Sequence, residues 1–472
     1  MKKQLFIIMS IVLLFVLSAC SGSKSANSDN PVDSNSKEDL PVDENGNKIV
    51  TLKVFTRDAS APTRVTNFEG AAKKMNTDLE EAGEDYRVQV EAIVKPMDGE
   101  AFDQNFIFAS QSGNAADIYA TSYTSVGWMA DGGYIKELNG IEKEEVFTNL
   151  MDGYWNPVKW DGNIYGVIQD TEARVVYFNK NRLRELGWTE AEINELPAKA
   201  ESGDFLLSDM ITVAKEAQEK GIVDKGYEFD GGSNDNPMNF YNFGAEIYDW
   251  DKGQFILDKA NVLSTFEWMK ESVDSGVIPA ENITTDKNEK LARLVNNETL
   301  FIQAGIWDEA KFRKNGLHKE QGNLTTDWIK ENLGVMNLPV VEKGNKPITV
   351  SNPWVYVVSK DTKQFDAAKK LLAYVSEPEF QAKHGVETSH IPFTKEGQEH
   401  ETVVANEWIN SVKHFTNYSK FNGNHPDQAK YDKIIKDASS YVMTGEMTPQ
   451  EAVDYMEEQL KLNIDEKNIQ VK

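Results

Sequence analysis

Trp160–Trp188 reads WDGNIYGVIQDTEARVVYFNKNRLRELGW. Asp161-Gly162-Asn163 is a turn signal, with glycine free to take positive φ and Asp and Asn able to bond their own backbone. Ile164–Ile168 and Val175–Phe178 are β-prone apolar runs, and between them stands the polar passage Gln169-Asp170-Thr171-Glu172-Ala173-Arg174. Asn179–Leu186 then reads as a helix stopped by Gly187. Two strands joined by an extended polar segment suit a chain crossing from one lobe to another. The same pattern also fits one more strand of an ordinary mixed sheet.

Working outward, the flanking sequence alternates strand and helix. Ile49–Phe55, Arg87–Ile93 and Asp117–Ala120 read as strands, and Asn67–Glu81, Phe102–Ser110 and Val126–Asp131 as helices. That alternation predicts a mainly parallel sheet with helices on both faces, in which ligands bind beyond the carboxyl ends of the strands. Arg57, Asp58 and Tyr123 follow two such ends. Downstream, Leu300–Trp307, Leu333–Leu338 and Trp354–Ser359 read as strands. Phe205–Lys220, Val262–Ser275 and Gln364–Val375 read as helices, and Ser376-Glu377-Pro378-Glu379 as a restart with a capping box. Tyr248–Gln254 is a turn between short strands. Thr448, Pro449 and Glu451 mark the start of the last helix.

The chain opens with Met1-Lys2-Lys3, an apolar run Leu5–Leu17 too short to span a bilayer, and Leu17-Ser18-Ala19-Cys20. This pattern is that of a bacterial lipoprotein signal, with residues 1–19 removed and Cys20 acylated. Cys20 is the only cysteine, so no internal disulfide can form. Residues 20–47, poor in apolar side chains, are expected to be a disordered tether reaching on the order of 30 Å as a coil. The remaining stretch is longer than one core usually organises, so two domains are expected. The formal net charge of -26 argues against nucleic acid as a partner.

The sequence has no Gly-rich phosphate loop, no G-x-S-x-G and no H-E-x-x-H. The Asp249/Asp251/Gly253 cluster lacks the later acidic ligand of a calcium loop. No metal or cofactor is expected. Ten Trp and 16 Tyr are present, several beside Gly, Asn, Asp or Pro. Flat rings next to hydrogen-bonding side chains suit a sugar, whose C–H faces pack on the ring while its hydroxyls meet polar groups.

Several stretches occur in a familiar order. Ala116-Asp117-Ile118-Tyr119, with Trp128-Met129-Ala130-Asp131-Gly132-Gly133-Tyr134-Ile135 after it, resembles a "PDI…aGyl" segment. Asp161–Val167 resembles "dGKiYGvP", and Val176-Tyr177-Phe178-Asn179-Lys180 resembles "lyYNK". Gln303-Ala304-Gly305-Ile306-Trp307, Leu338-Pro339 and Val357-Val358-Ser359-Lys360 follow in place. From about Ile49 to Leu462 the chain resembles the extracellular solute-binding proteins of ABC importers, of the oligosaccharide (maltodextrin-binding-like) type. It departs from them at Glu201-Ser202-Gly203-Asp204, where a Pro-x-Thr-Trp helix start is usual, and at Gln303-Ala304.

The resemblance implies an α/β, two-lobe periplasmic-binding-protein-like fold with a hinge and an interlobe cleft. It places residues 48–166 plus 300–356 in lobe 1 and 167–299 plus 357–472 in lobe 2. It implies a monomeric, non-enzymatic receptor, lipid-anchored on the extracytoplasmic face of the cell membrane. The receptor would close over a sugar or oligosaccharide and deliver it to ABC permease transmembrane subunits. Arg57, Asp58, Tyr123, Glu172, Arg174, Trp250, Trp307, Asn352 and Trp354 are the candidate ligand-binding residues. A surface-tethered carbohydrate-active enzyme, or a binding protein of the same fold for peptides or another polar solute, are the alternatives.

Overall fold

Val50, Leu52 and Val54 turn inward along Lys48–Thr56 while Thr51 and Lys53 face solvent, the period of two that builds a half-buried strand. In the computed structural model, which describes residues 40–150, 153–229, 231 and 236–472, this strand lies second in a five-stranded sheet. The order is Tyr86–Val94, Lys48–Thr56, Ile118–Ser122, Trp354–Val358, Gly166–Ile168. The first three strands are parallel, and Trp354–Val358 runs antiparallel to both its neighbours. Helix Thr63–Glu81 covers this sheet and packs against Phe365–Val375 and Pro378–Thr388.

A second sheet has the order Leu333–Met336, Arg174–Asn179, Thr299–Gly305, Lys225–Phe229. Arg174–Asn179 is antiparallel to both neighbours, whereas Thr299–Gly305 and Lys225–Phe229 are parallel. Its two faces feed two cores: Val176 and Phe178 join Tyr227, Phe301 and Met336 on one side, and Val175 and Tyr177 join Ile302, Ala304 and Leu333 on the other. A strand buried on both faces has no polar alternation, which is why Val175–Phe178 reads as a continuous apolar run. Helices Lys259–Asp274, Gln428–Thr444 and Pro449–Asn463 pack together against the first of these cores.

Backbone pairing moves the expected division of the chain. Thr299–Gly305 and Leu333–Met336 belong to the second sheet, not with the first lobe, because they pair with Arg174–Asn179. From 300–356 only the beginning of Trp354–Val358 joins the first sheet. The helices Phe365–Val375 and Pro378–Thr388, expected in the second lobe, pack on the first through Thr63–Glu81.

The expected tether ends earlier than residue 47. Ile49 N–H donates to Pro41 O (2.7 Å), and Asp43 and Asn47 close a turn through Gly46 at φ 82°. Cys20, the leader 1–19 and the tether to residue 39 lie outside the described residues. Pro41–Lys472 is one body, and no helix of the described residues is long and apolar enough to cross a membrane. Helix Pro378–Thr388 forms where a capping box was expected, but its N-cap Glu377 makes no side-chain capping bond. At Thr448 both capping-box bonds are made.

Candidate functional site

The two sheets present corresponding ends to one another. Thr56, Ser122 and Ile168 end their strands at the same edge of the first sheet where Trp354 begins, since Trp354 pairs with Ser122 and Val355 with Ile168. In the second sheet Arg174 pairs with Gly305, and Met336 with Val176, so Trp307, Asn337 and Arg174 share one end. The chain passes between the sheets at 169–173 and again at 351–353.

These crossings are laced together. Thr171 and Ser351 hydroxyls lie 3.1 Å apart, and Asn352 N–H donates to Glu172 Oε1 (3.1 Å). Trp354 N–H donates to Asp170 Oδ1 (3.0 Å), and Arg174 N–H to Thr349 Oγ1 (2.7 Å). A third segment joins them, because Thr171 and Ile391 exchange both backbone bonds (2.8 and 2.9 Å).

Charged groups are buried around this lacing. Arg64 and Asp170 are each 1% exposed and 2.6 Å apart. Arg64 also donates to Asp58 Oδ2 (3.0 Å) and Gln169 Oε1 (2.6 Å). Burial pushes the Asp170 carboxyl up, but the Arg64 charge and the hydrogen bond from His384 pull it further the other way, well below the carboxylate range. His384 Nε2 sits 3.0 Å from Asp170, and its Nδ1 2.8 Å from Thr63 Oγ1. With Asp170 ionised, His384 donates from Nε2 and accepts the threonine hydroxyl at Nδ1. Burial holds the His384 pKa below the ordinary value and pushes that of His390 down to about 4, so both rings are neutral near pH 7.

Asp170, His384 and His390 bring ligand atoms within 4.8 Å of one another, a spacing that could hold a metal ion. Their chemistry points elsewhere: the Arg64 guanidinium already supplies the positive charge at Asp170. A second pair, Arg174 and Glu172, lies 2.6 Å apart and fully buried. Both half-buried tryptophans carry cations. Arg64 stands 4.2 Å and Arg57 5.2 Å from the Trp354 ring centre, and Arg174 4.8 Å from that of Trp307, which also stacks on His390.

Three further amides are buried. Asn337 follows Leu333–Met336, and Asn239 lies on the short helix Pro237–Asn242, tied to the same segment by Asn242 Nδ2 donating to Pro339 O (3.0 Å). Asn422 precedes helix Gln428–Thr444. Neither side-chain atom of Asn239, Asn337 or Asn422 has a hydrogen-bond partner among the described residues. Buried polar groups are nearly always paired, and each unpaired one costs about 1–3 kcal/mol.

Residues 421–425 reach the first half directly. Tyr123 donates its hydroxyl proton to Asn422 O (3.1 Å), and Asn424 Nδ2 donates to Pro157 O (3.0 Å) and Lys159 O (2.8 Å). His425 packs against Trp160 on one side and Phe255 on the other.

Eight of the nine sequence-derived candidates therefore gather at the crossings: Arg57, Asp58, Tyr123, Glu172, Arg174, Trp307, Asn352 and Trp354. Asn352 contributes its backbone N–H to Glu172 and its Oδ1 to the Ser122 hydroxyl (3.2 Å). Trp250 does not join them; it packs edge-on to Tyr248 beside the small sheet Tyr248–Asp249/Gln254–Leu257. Sequence reading missed Arg64, His384, His390 and the three amides. Arg64 lies within a helix and the histidines some 210 residues beyond Asp170, so only the folded chain brings them together.

A family model described as bacterial extracellular solute-binding protein matches residues 74–411. The maltodextrin-binding protein MdxE of Bacillus subtilis is 20% identical, over 98% of each chain. A maltooligosaccharide ABC transporter solute-binding lipoprotein of Streptococcus pneumoniae is 21% identical, over 97% of each. Among solved structures, the GacH receptor of Streptomyces glaucescens superposes with a TM-score of 0.67 at 18% identity, covering 88% of this chain and 98% of that one. A cyclo/maltodextrin-binding protein complexed with maltotetraose does so with 0.67 at 16%, covering 88% and 97%. The two sheets are thus the cores of two lobes of the maltose-binding type.

Proposed function

The chain belongs to the bacterial extracellular solute-binding proteins, and on that premise we propose that it captures an oligosaccharide and delivers it to the permease of an ABC importer. It binds its solute and does not transform it. The observation that carries the carbohydrate reading is the pair of half-buried rings Trp307 and Trp354 beside the crossings, together with three buried amides, Asn239, Asn337 and Asn422, that have no partner among the described residues. Hydroxyls donate and accept at the same atom, so a sugar can satisfy both ends of each amide while its C–H face lies on an indole. The names of the relatives, which bind maltodextrin and maltooligosaccharide, support the same solute class.

Capture works through the crossings. Arg64–Asp170 and Arg174–Glu172 anchor the connecting segments on either side, so motion is confined to lobe rotation about them. Residues 421–425 and the Tyr123–Lys159 region meet when the lobes approach. The ligand favours that state by bonding both lobes at once. Arg57, Asp58, Tyr123, Glu172, Arg174, Trp307, Asn352 and Trp354 line or brace the cleft in this reading. Acylation at Cys20 would keep the receptor, as a monomer, at the outer face of the membrane; Leu17-Ser18-Ala19-Cys20 and the lipoprotein name of one relative support it.

The test is a thermal-shift screen of the full-length protein in detergent against malto-oligosaccharides, monosaccharides, uronates and peptides. Ligand at a hundred times its Kd adds about 2.7 kcal/mol to folded-state stability. A shift by one glycan class upholds the reading; a shift by peptides alone overturns it.

A further inference from the structure

His425 ends the segment that meets the first lobe, and its ring is held between the lobes. It stands nearly perpendicular to Trp160 on one side and Phe255 on the other, with ring centres 5.4 and 5.0 Å away. Phe255 stacks on Tyr431 within the second core, so it moves with the second lobe. Trp160 lies on the first-lobe hairpin Lys159–Trp160/Asn163–Ile164, where Lys159 O also receives the Asn424 amide (2.8 Å). With the lobes together His425 is 6% exposed. Opening withdraws Trp160 and returns that side of the ring to water.

The enclosed ring is held neutral by its own bonding. Asp427 N–H donates to His425 Nδ1 (3.1 Å), so the ring proton sits on Nε2. A second proton must enter at Nδ1, where it faces that N–H and breaks the bond; the Asp427 carboxylate is 3.7 Å away, beyond a hydrogen bond. The charged groups around the ring are Asp427 and Lys430 at the start of helix Gln428–Thr444, Asp131 of the first-lobe helix Val126–Asp131, and Lys467 beside the C-terminal strand. Burial lowers the His425 pKa from its ordinary 6.5. Asp427 and Asp131 offset only part of that, and Lys430 and Lys467 oppose them.

We propose that His425 makes solute capture pH-sensitive: the lobes close on a neutral ring, and a proton taken up in the open form holds them apart. The inference rests on carbohydrate capture by lobe closure and is indifferent to which sugar is held. An open-form ring titrating at an ordinary 6.5, against a closed form that refuses the proton, weakens capture by up to about tenfold between pH 7.5 and 5.5. Asp103 and Asp432 line a cavity between helices Gly99–Gln111 and Gln428–Thr444, and burial raises their carboxyls to about 6 and about 7. Proton uptake there favours closure, so the informative quantity is a comparison of variants. The test is calorimetric titration of the full-length protein with malto-oligosaccharides, glucosamine oligomers and oligogalacturonates at pH 7.5 and 5.5. For whichever oligosaccharide binds, the ratio of Kd at pH 5.5 to Kd at pH 7.5 should be several-fold, up to about tenfold, larger in wild type than in His425→Gln. His425→Phe, which keeps a ring that cannot titrate, should match His425→Gln, and ligand-free melting checks the fold of both. If both variants keep the wild-type ratio, the His425 switch is refuted and carbohydrate capture stands. If no oligosaccharide binds at either pH, both are refuted.

Discussion

Gly127 sits where the lobes touch, and a single methyl group there tests whether that contact belongs to closure. A Cβ built at Gly127 would lie 1.8 Å from Asn424 O and 2.9 Å from its carbonyl carbon. Both are backbone atoms, so no side chain can swing aside. An unstrained C···O contact is roughly 3.3 Å, so Gly127→Ala must part the two segments by about 1.5 Å. Overpacking of this kind costs about 1–3 kcal/mol. Charged only to the closed form, that weakens ligand binding about 5- to 150-fold. Gly127 lies in helix Val126–Asp131 without positive φ, where alanine is locally favoured by up to about 1 kcal/mol. The ligand-free protein should therefore melt no lower than wild type. The assay pairs calorimetric affinity with ligand-free melting. Unchanged affinity, or a ligand-free melting loss as large as the affinity loss, would show that this contact is part of the resting fold and not of closure.

Other substitutions probe the charged cluster and the buried amides. Arg64→Met leaves the buried Asp170 without its cation, and should cost about 3–5 kcal/mol in denaturant unfolding, with Arg64→Lys recovering part of it. Asn239→Leu removes an amide that has no partner among the described residues, so ligand-free melting should rise while the oligosaccharide-induced shift shrinks; a fall in both would count against a ligand role for this amide. His390 has a folded pKa of about 4 against an ordinary 6.5, so the unfolded chain takes up the proton first. Its contribution is intact above pH 6.5 and is lost as pH falls toward 4, by about 3 kcal/mol. Asp432 acts in the opposite sense over much of that window, so the comparison is wild type against His390→Gln, whose stability curve should be flatter between pH 6.5 and 4.

The crossing was legible because its polar passage interrupts two apolar runs, and the strand ends were legible because alternation locates them. Arg57, Asp58 and Tyr123 follow directly from that rule. Lobe membership was not legible. Thr299–Gly305 is buried along its whole length, and a continuous apolar strand carries no mark of which sheet it joins. Helix Glu190–Ser202 escaped because Pro197 lies inside it, despite a capping box at Thr189 and Glu192. Arg64, His384 and His390 acquire their role from contacts between distant segments, and Asn239 and Asn337 from having none. Neither property can be written in a local pattern. Trp250 shows the converse, since an aromatic beside turn residues serves packing as readily as recognition.

The most direct measurement is a calorimetric titration of the full-length protein with neutral, amino and acidic oligosaccharides of increasing length, followed by mass analysis of the recovered ligand. The expected result is saturable one-to-one binding with a negative heat-capacity change, from apolar surface buried as the lobes close, and a glycan recovered intact. Absence of binding across neutral, amino and acidic glycans, or recovery of a shortened one, would contradict capture without turnover.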